Sequence, residues 1–488
     1  MTISFIYTAA ITLAIICFSR GVKDLFFGLF TLLAALEVNR ITSSAALIAS
    51  QEIGCSDIVL AVLFIYSIML LIQKARIKKS LLAIGMIVFT LASISLVVNL
   101  LFPYEGLIVT SNGSWDGLLF GTSSPQHVEI GIRTLLVLTR LTIFIVVIWC
   151  AASVLTRNDY LKASSYVLAF SKAHIAFGAF ELLTKSVFGS SVAVDISSTL
   201  FPSFSSAVTD IVVRGEITSL QGFTREPSHF AMALSISLVM LVLLNCAGRG
   251  RRFDIFWGFV AFLLLALSGA FTAIVGIAIA AIIAFRYRRI LLAGIDKRIR
   301  IVIYILVFAL MFLALSVLTG GVRIGNIYYV DKMANVVENI DAIIGRRYSN
   351  VSGSYDALPR ILSMVECIRV FFERPLFGIG PGVVNPFSGI SAILSQYGVL
   401  FTVAWFLLLV AYGRSLCGQS GGRLFGLFMF LNGLLLYGGG YEYTFTWVLL
   451  GGLFMTGEPS LSREKLEVAI VPDISRCRLQ RTRNTRSS

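Results

Sequence analysis

The chain alternates long apolar runs with short polar connections. The runs fall at about 2–19, 24–45, 56–73, 80–102, 132–155, 161–183, 228–247, 253–285, 301–319, 391–412, 422–438 and 443–456. Most have the length of a helix that crosses a ~30 Å hydrocarbon core at about 1.5 Å per residue. The run 253–285 is too long for one comfortable crossing, and Ser268-Gly269 near its middle predicts a break into two short helices. Two connections are long, about 184–227 and 320–390. Loops of that length without low complexity usually carry function.

Loop charge sets the topology. Arg249-Gly-Arg-Arg252 and the basic segment from Arg286 to Arg300 flank the broken run. Both belong in the cytoplasm by the positive-inside rule, and only a hairpin near 268–270 puts them on one side. The pattern then predicts about 13 transmembrane helices, with the N-terminus outside and the C-terminus inside. Lys23, Lys74 to Lys79, Arg157, Lys162, Arg414 and Arg423 all fall inside. The resulting organisation is 1–183 N-terminal helices, 184–227 outer loop, 228–319 helices with the hairpin, 320–390 outer loop, 391–456 C-terminal helices and 457–488 basic cytoplasmic tail. The expected fold is an all-α integral membrane protein with two long periplasmic loops.

Composition agrees. Hydrophobic residues make up 57% of the 488 and charged residues only 14%, where a soluble domain has about a quarter charged. The net charge of +14 is accounted for by basic cytoplasmic loops, so no nucleic-acid partner is expected. No basic region precedes the first apolar run, so 1–19 reads as a retained span. The seven Cys lack metal-ligand spacing and read as small core residues.

Chemistry gathers in the two outer loops. The first ends in Arg225-Glu-Pro-Ser-His229, where Pro227 suits the first turn of the next helix. Free N–H groups and the helix dipole make such an end attractive to anions. The simpler alternative is a capped helix with an Arg225–Glu226 ion pair and a satisfied His229. The second loop carries Arg323, Lys332, Arg346, Arg347, Arg360, Arg369 and Arg374. Salt-bridge partners or an anionic ligand would each account for basic residues kept outside. Within it, 358–372 has helical periodicity, with Ile361, Leu362, Val365, Ile368 and Phe372 on one face. Arg360 opens this predicted interfacial helix, and Arg374-Pro-Leu-Phe-Gly-Ile-Gly-Pro-Gly382 closes it as a rigid turn where backbone approaches a ligand closely. Lys172, His174 and Glu181 share one apolar run and are candidates for lining a path. Tyr441 and Tyr443 read as interfacial aromatics or as sugar contacts.

Taken in order, these pieces resemble the O-antigen polymerase and ligase superfamily of bacterial inner-membrane glycosyltransferases. The matching parts are Arg225-Glu-Pro-Ser-x-x-Ala231, Leu267-Ser-Gly-Ala-Phe-Thr272, Arg360, the 374–382 turn and Ser391-Ala-Ile-Leu-Ser-Gln-Tyr-Gly-Val-Leu400. The resemblance covers roughly 200–460 and implies a multi-pass, GT-C-like membrane glycosyltransferase. It implies a glycan donor on undecaprenyl diphosphate, used on the periplasmic side, with a chain-length regulator as a further partner. Ligases of the family carry a His after the Gly-Pro-Gly turn, and 385–396 has none, so a polysaccharide repeat-unit polymerase is expected over a ligase.

A diphosphate leaving group needs charge stabilisation more than an acid, and guanidinium groups supply it. Arg360 is expected to serve the leaving group, with Arg225, Arg374 and the glycines Gly378, Gly380 and Gly382 in substrate binding. Glu226 and His229 are the candidate bases. No Asp-rich motif stands outside, so no metal or cofactor is expected. The rival of another class is a lipid-linked oligosaccharide transporter. It would show paired broken helices in two related halves, whereas one broken run appears once here.

Overall fold

The computed structural model describes residues 3–41, 44–48, 51–73, 77–105, 131–188, 192–200, 213–214, 217–218, 220–224, 227–247, 249–250, 254–268, 271–286, 329–347, 358–384, 389–417 and 444–457. Helices dominate. In order they are α1 (Ile3–Phe18), α2 (Val22–Val38), α3 (Cys55–Ile72), α4 (Lys79–Leu101), α5 (Ile132–Val154), α6 (Arg157–Phe188), α7 (Val192–Leu200), α8 (Pro227–Cys246), α9 (Asp254–Leu267), α10 (Phe271–Arg286), α11 (Tyr329–Ile344), α12 (Leu358–Glu373), α13 (Gly389–Cys417) and α14 (Thr444–Gly457). Two small antiparallel ladders interrupt them: β1 (Ser44–Ile48) with β2 (Gln51–Gly54), and β3 (Val213–Arg214) with β4 (Ile217–Thr218).

Among the described residues, five helical segments are long and apolar enough to cross a membrane: Lys79–Leu101, Thr134–Val154, Arg157–Val187, Ser228–Cys246 and Gly389–Tyr412. Their outward faces leave large apolar side chains such as Leu101, Leu135, Leu183 and Leu407 exposed. Water would penalise that surface, and lipid does not. The protein is a helical membrane protein. Several hydroxyls in the bundle are satisfied within their own helix. Ser67, Ser171, Ser235 and Ser237 each donate to the carbonyl four residues back, at 2.7–3.1 Å.

Side-chain contacts fix two ends of the bundle. Lys23 pairs with Asp159, and Arg249 donates to Asn158. Trp149 reaches the Leu81 carbonyl, and Tyr160 reaches the Ala151 carbonyl and the Tyr412 hydroxyl. The starts of α2, α4 and α6 therefore lie with the ends of α5, α8 and α13. Glu181 stands 22 residues beyond Asp159 on α6, about 33 Å along the axis and close to a bilayer core.

Two apolar runs depart from the sequence pattern, and a third, 253–285, divides where Ser268-Gly269 predicts. The apolar run 24–45 does not continue as one helix. α2 stops at Val38, where Arg40 adopts φ 55°, and Ile41 and Arg40 donate to the Leu36 and Glu37 carbonyls. That is the left-handed closing turn usually given to glycine, and the β1–β2 hairpin follows it. The run 161–183 extends to 157–188 in α6, and α7 and the β3–β4 ladder occupy part of the expected 184–227 loop. The run 253–285 is two helices. Gly258 faces Leu241, while Gly276 faces Ser235, and Ile279 and Ile283 join the cluster of Met240 and Leu244. Thus α9 and α10 run in opposite senses along α8. The runs 301–319 and 422–438, most of the 103–131 connection, Tyr441 to Tyr443 and the tail from 458 lie outside the described residues.

Candidate functional site

The Pro-Gly turn is built into a break in α13. Gly398 has φ 77°, so the helix cannot continue through it. In an unbroken helix the Ser395 carbonyl would accept from Val399. Instead Val399 donates to Pro375 at 2.8 Å, while Ile379 and Gly380 donate to the Ser395 and Gln396 carbonyls, each at 2.9 Å. The Gln396 side chain adds a clasp: its Oε1 accepts from the Gly382 amide, and its Nε2 donates to the Val384 carbonyl. Gly378, Gly380 and Gly382 all have positive φ, of 63°, 105° and 70°. A Cβ on Gly378 would overlap the Ser395 carbonyl oxygen. The expected close backbone approach is therefore made to α13. The amides of 378, 379, 380 and 382 all end on protein acceptors.

α4 holds the other side of the turn. Ser95 donates to the Phe377 carbonyl at 2.6 Å, and Asn99 donates to the Gly378 carbonyl at 3.2 Å. Arg374 donates to the Phe102 and Pro103 carbonyls, at 2.6 and 3.1 Å, and to Asn99. Those carbonyls close the C-terminal end of α4, where a cation is favoured. Arg374 also lies over the Tyr104 ring, 5.5 Å from its centroid. The Tyr104 hydroxyl donates to Glu373, and burial first, then that hydrogen bond and charge, push its pKa above the usual phenol range. Arg374, expected to bind substrate, is occupied in locking α12 to α4.

α12 begins and ends where the periodicity predicts. Its buried face is Leu358, Leu362, Cys367 and Val370, with Ile361 and Val365 partly covered. Ile368 and Phe372, expected on one apolar face with Ile361, Leu362 and Val365, are exposed. Glu366 is buried within this face and pairs with Arg346 at 2.8 Å and Arg369 at 2.5 Å. Arg346 has φ 55° and, with Arg347, closes the end of α11 by the same left-handed turn seen at Arg40. Arg346 and Arg369 thus have a carboxylate partner, the first of the two explanations for basic residues in this loop. Burial raises the Cys367 thiol to about 12.

The second cluster lies where the C-terminal halves of α2 and α6 meet the starts of α8 and α14. Glu181 of α6 accepts the Gln221 amide at 3.0 Å and the Gly222 amide at 2.6 Å, and it pairs with Lys185 at 2.5 Å. His174 accepts the Phe223 amide on Nε2 at 2.9 Å, so its ring proton sits on Nδ1, 3.3 Å from Asn39 Oδ1. Glu37 of α2 accepts the Thr446 amide at 2.9 Å, so a side-chain oxygen caps the N-terminus of α14. α8 starts at Pro227; Ser228 is buried, His229 is half-buried, and Phe230 packs against His174 with ring centroids 5.0 Å apart. Lys172 pairs with Asp254 at the start of α9. Lys172, His174 and Glu181, candidates for lining a path, are each engaged within the protein.

Phe230 and Ala231 belong to one apolar cluster, and Ile379 and Val384 to another. Both clusters lie at the end of the bundle away from Lys23, Arg157 and Arg249. Arg225 and Glu226 lie outside the described residues. Arg360 is in the first turn of α12, but its side chain is outside the described set. Glu37, Asn39, Arg40, Ser95 and Asn99 are not among the expected site residues, although their place as polar residues inside apolar runs marks them; Glu366, in the second long loop, carries no such signal.

No known protein-family model matches the chain, and no curated protein matches it.

Proposed function

We propose that the protein is a polysaccharide repeat-unit polymerase. It transfers a growing glycan from undecaprenyl diphosphate to another lipid-linked repeat unit at the periplasmic face of the bacterial inner membrane. The carrying observation is the common end of the two motif-bearing segments. The turn that opens α8 and the turn that follows α12 are each bonded to a helix end opposite the basic Lys23, Arg157 and Arg249 end. By the positive-inside rule the basic end is cytoplasmic. The motif end then faces the side on which a flipped lipid-linked glycan waits. The 13-helix, GT-C-like arrangement is part of this reading.

Arg360 serves the leaving diphosphate. It opens α12, whose far end is clamped to α4 through Arg374 and to α13 through the turn. The exposed Ile368 and Phe372 lie in the headgroup region and keep α12 at the membrane surface. Arg225 holds the second diphosphate charge, and Glu226 and His229 orient and deprotonate the acceptor hydroxyl. The bond broken joins the donor sugar carbon to diphosphate oxygen. The bond formed joins that carbon to the acceptor oxygen, whose proton passes to the base.

The test is the purified protein with lipid-linked repeat units. A ladder of repeat multiples supports polymerisation. Transfer to lipid A-core instead makes it a ligase, and unmodified glycan carried across the bilayer makes it a transporter.

A further inference from the structure

We propose that His174 and Glu181 are positioning residues: α6 uses them to fix the backbone of 221–224 and so to aim the adjoining 225–229 stretch. What is aimed rests on the polymerase reading; the fixing rests on geometry alone. Three successive amides, of Gln221, Gly222 and Phe223, all point at α6. Consecutive N–H groups turned to one side form a concave nest for an anion. Here the anion is the protein's own carboxylate, whose side chain is 1% exposed. A carboxylate so deeply buried in an apolar bundle is costly, and Lys185 together with the backbone amides offsets that cost.

His174 adds a second grip. Its ring stacks on Phe223 at 5.2 Å between centroids and lies against Phe230 at 5.0 Å, so it touches the chain on both sides of 225–229. Gly222, at φ 58°, brings the backbone so close that a Cβ would overlap the His174 ring. Thr224 closes the turn on itself, with its amide and hydroxyl both donating to the Gln221 carbonyl. Asn39, which caps the end of α2, accepts a hydrogen bond from His174 Nδ1–H through Oδ1 and holds the tautomer whose Nε2 is free to accept. An apolar packing partner would need none of these polar groups. Their effect is a turn ordered before any substrate arrives, and misplacement by about 1 Å is enough to cost on the order of 100-fold in rate.

The test compares His174→Phe, which keeps the ring and loses the acceptor, with His174→Gln, whose amide oxygen reaches the place of Nε2. Hydrogen–deuterium exchange of 221–231 is measured on the full-length protein in nanodiscs, beside kcat and KM for a lipid-linked repeat unit. For His174→Phe we expect exchange of this segment to rise about tenfold and kcat to fall about tenfold with KM near the wild-type value, the loss of one buried hydrogen bond. Exchange in α4 and α13 should stay unchanged, and His174→Gln should recover most of both losses. The proposal is overturned if exchange rises while kcat holds, if exchange does not rise, or if Gln is no better than Phe. Should His174→Phe fail to fold, Glu181→Gln carries the same comparison at Gln221 and Gly222. A wild-type protein without glycan transfer removes the polymerase reading, and the exchange measurement still decides whether the two residues fix the turn.

Discussion

The Ile379 amide donates to the Ser395 carbonyl at 2.9 Å, a bond that takes the place of a helical one inside α13. Gly398 makes the exchange possible by turning Val399 toward Pro375. A Cβ at 398 would overlap the Leu376 carbonyl oxygen, and φ 77° is itself strained for any other residue. We expect Gly398→Ala to lower stability by roughly 2 kcal/mol or more, from left-handed strain plus the overlap. Gly258→Ala, which meets only Leu241 at 3.8 Å, should change it by less than about 0.5 kcal/mol. Thermal unfolding in detergent reads both.

Arg374 and Arg360 open opposite ends of the same region and should separate by phenotype. Arg374 donates to two carbonyls at the end of α4, so Arg374→Ala should cost about 1–3 kcal/mol of stability and lower activity with it. Lysine lacks the planar fork and should rescue little. Arg360→Ala should lower transfer by about 100-fold at unchanged melting temperature. Parallel unfolding and activity measurements make the distinction.

Glu366 neutralises two arginines from the α11–α12 pair. Glu366→Gln leaves Arg346 and Arg369 without their carboxylate and should destabilise this unit by about 3 kcal/mol. Limited proteolysis across 345–358 should speed up in proportion, with the membrane helices spared.

Alkaline pH should act through Tyr104. Its folded-state pKa is raised by burial first and by Glu373 second, so folding favours the neutral phenol. That stabilisation is complete below the unfolded value of about 10 and is lost as pH rises past it toward the folded value. The melting temperature of the wild type should hold up to about pH 10 and then fall more steeply than that of Tyr104→Phe. The Cys367 thiol, raised to about 12, should resist alkylation at pH 8 until the protein unfolds.

Local chemistry was legible from the residues, and long-range chemistry was not. Pro227 starts α8 and Leu358 starts α12 where proline placement and periodicity put them, because both signals act within one turn. The glycine turn was legible as a close-approach device, but its partner was not: Ser95 and Phe377 are 282 positions apart, and no local pattern carries such a contact. Arg374 next to a glycine turn resembles a ligand contact for the same reason, since its partners lie 271–275 positions away. α2 ends early at Arg40 because a left-handed arginine closes the helix, a place where sequence patterning looks for glycine. Ile361, Leu362, Val365, Ile368 and Phe372 read as one apolar face, but the face divides into a buried side around Leu362 and an exposed side with Ile368 and Phe372, since a membrane surface offers apolar residues two places to go.

The central claim is that glycan transfer releases the lipid carrier. The direct measurement is free undecaprenyl diphosphate against new glycosidic bonds, using purified protein in proteoliposomes with a lipid-linked repeat unit and a chelator present. One carrier released per repeat added, abolished in Arg360→Ala, is the predicted result. Intact lipid-linked glycan moved across the bilayer with no carrier released would contradict it.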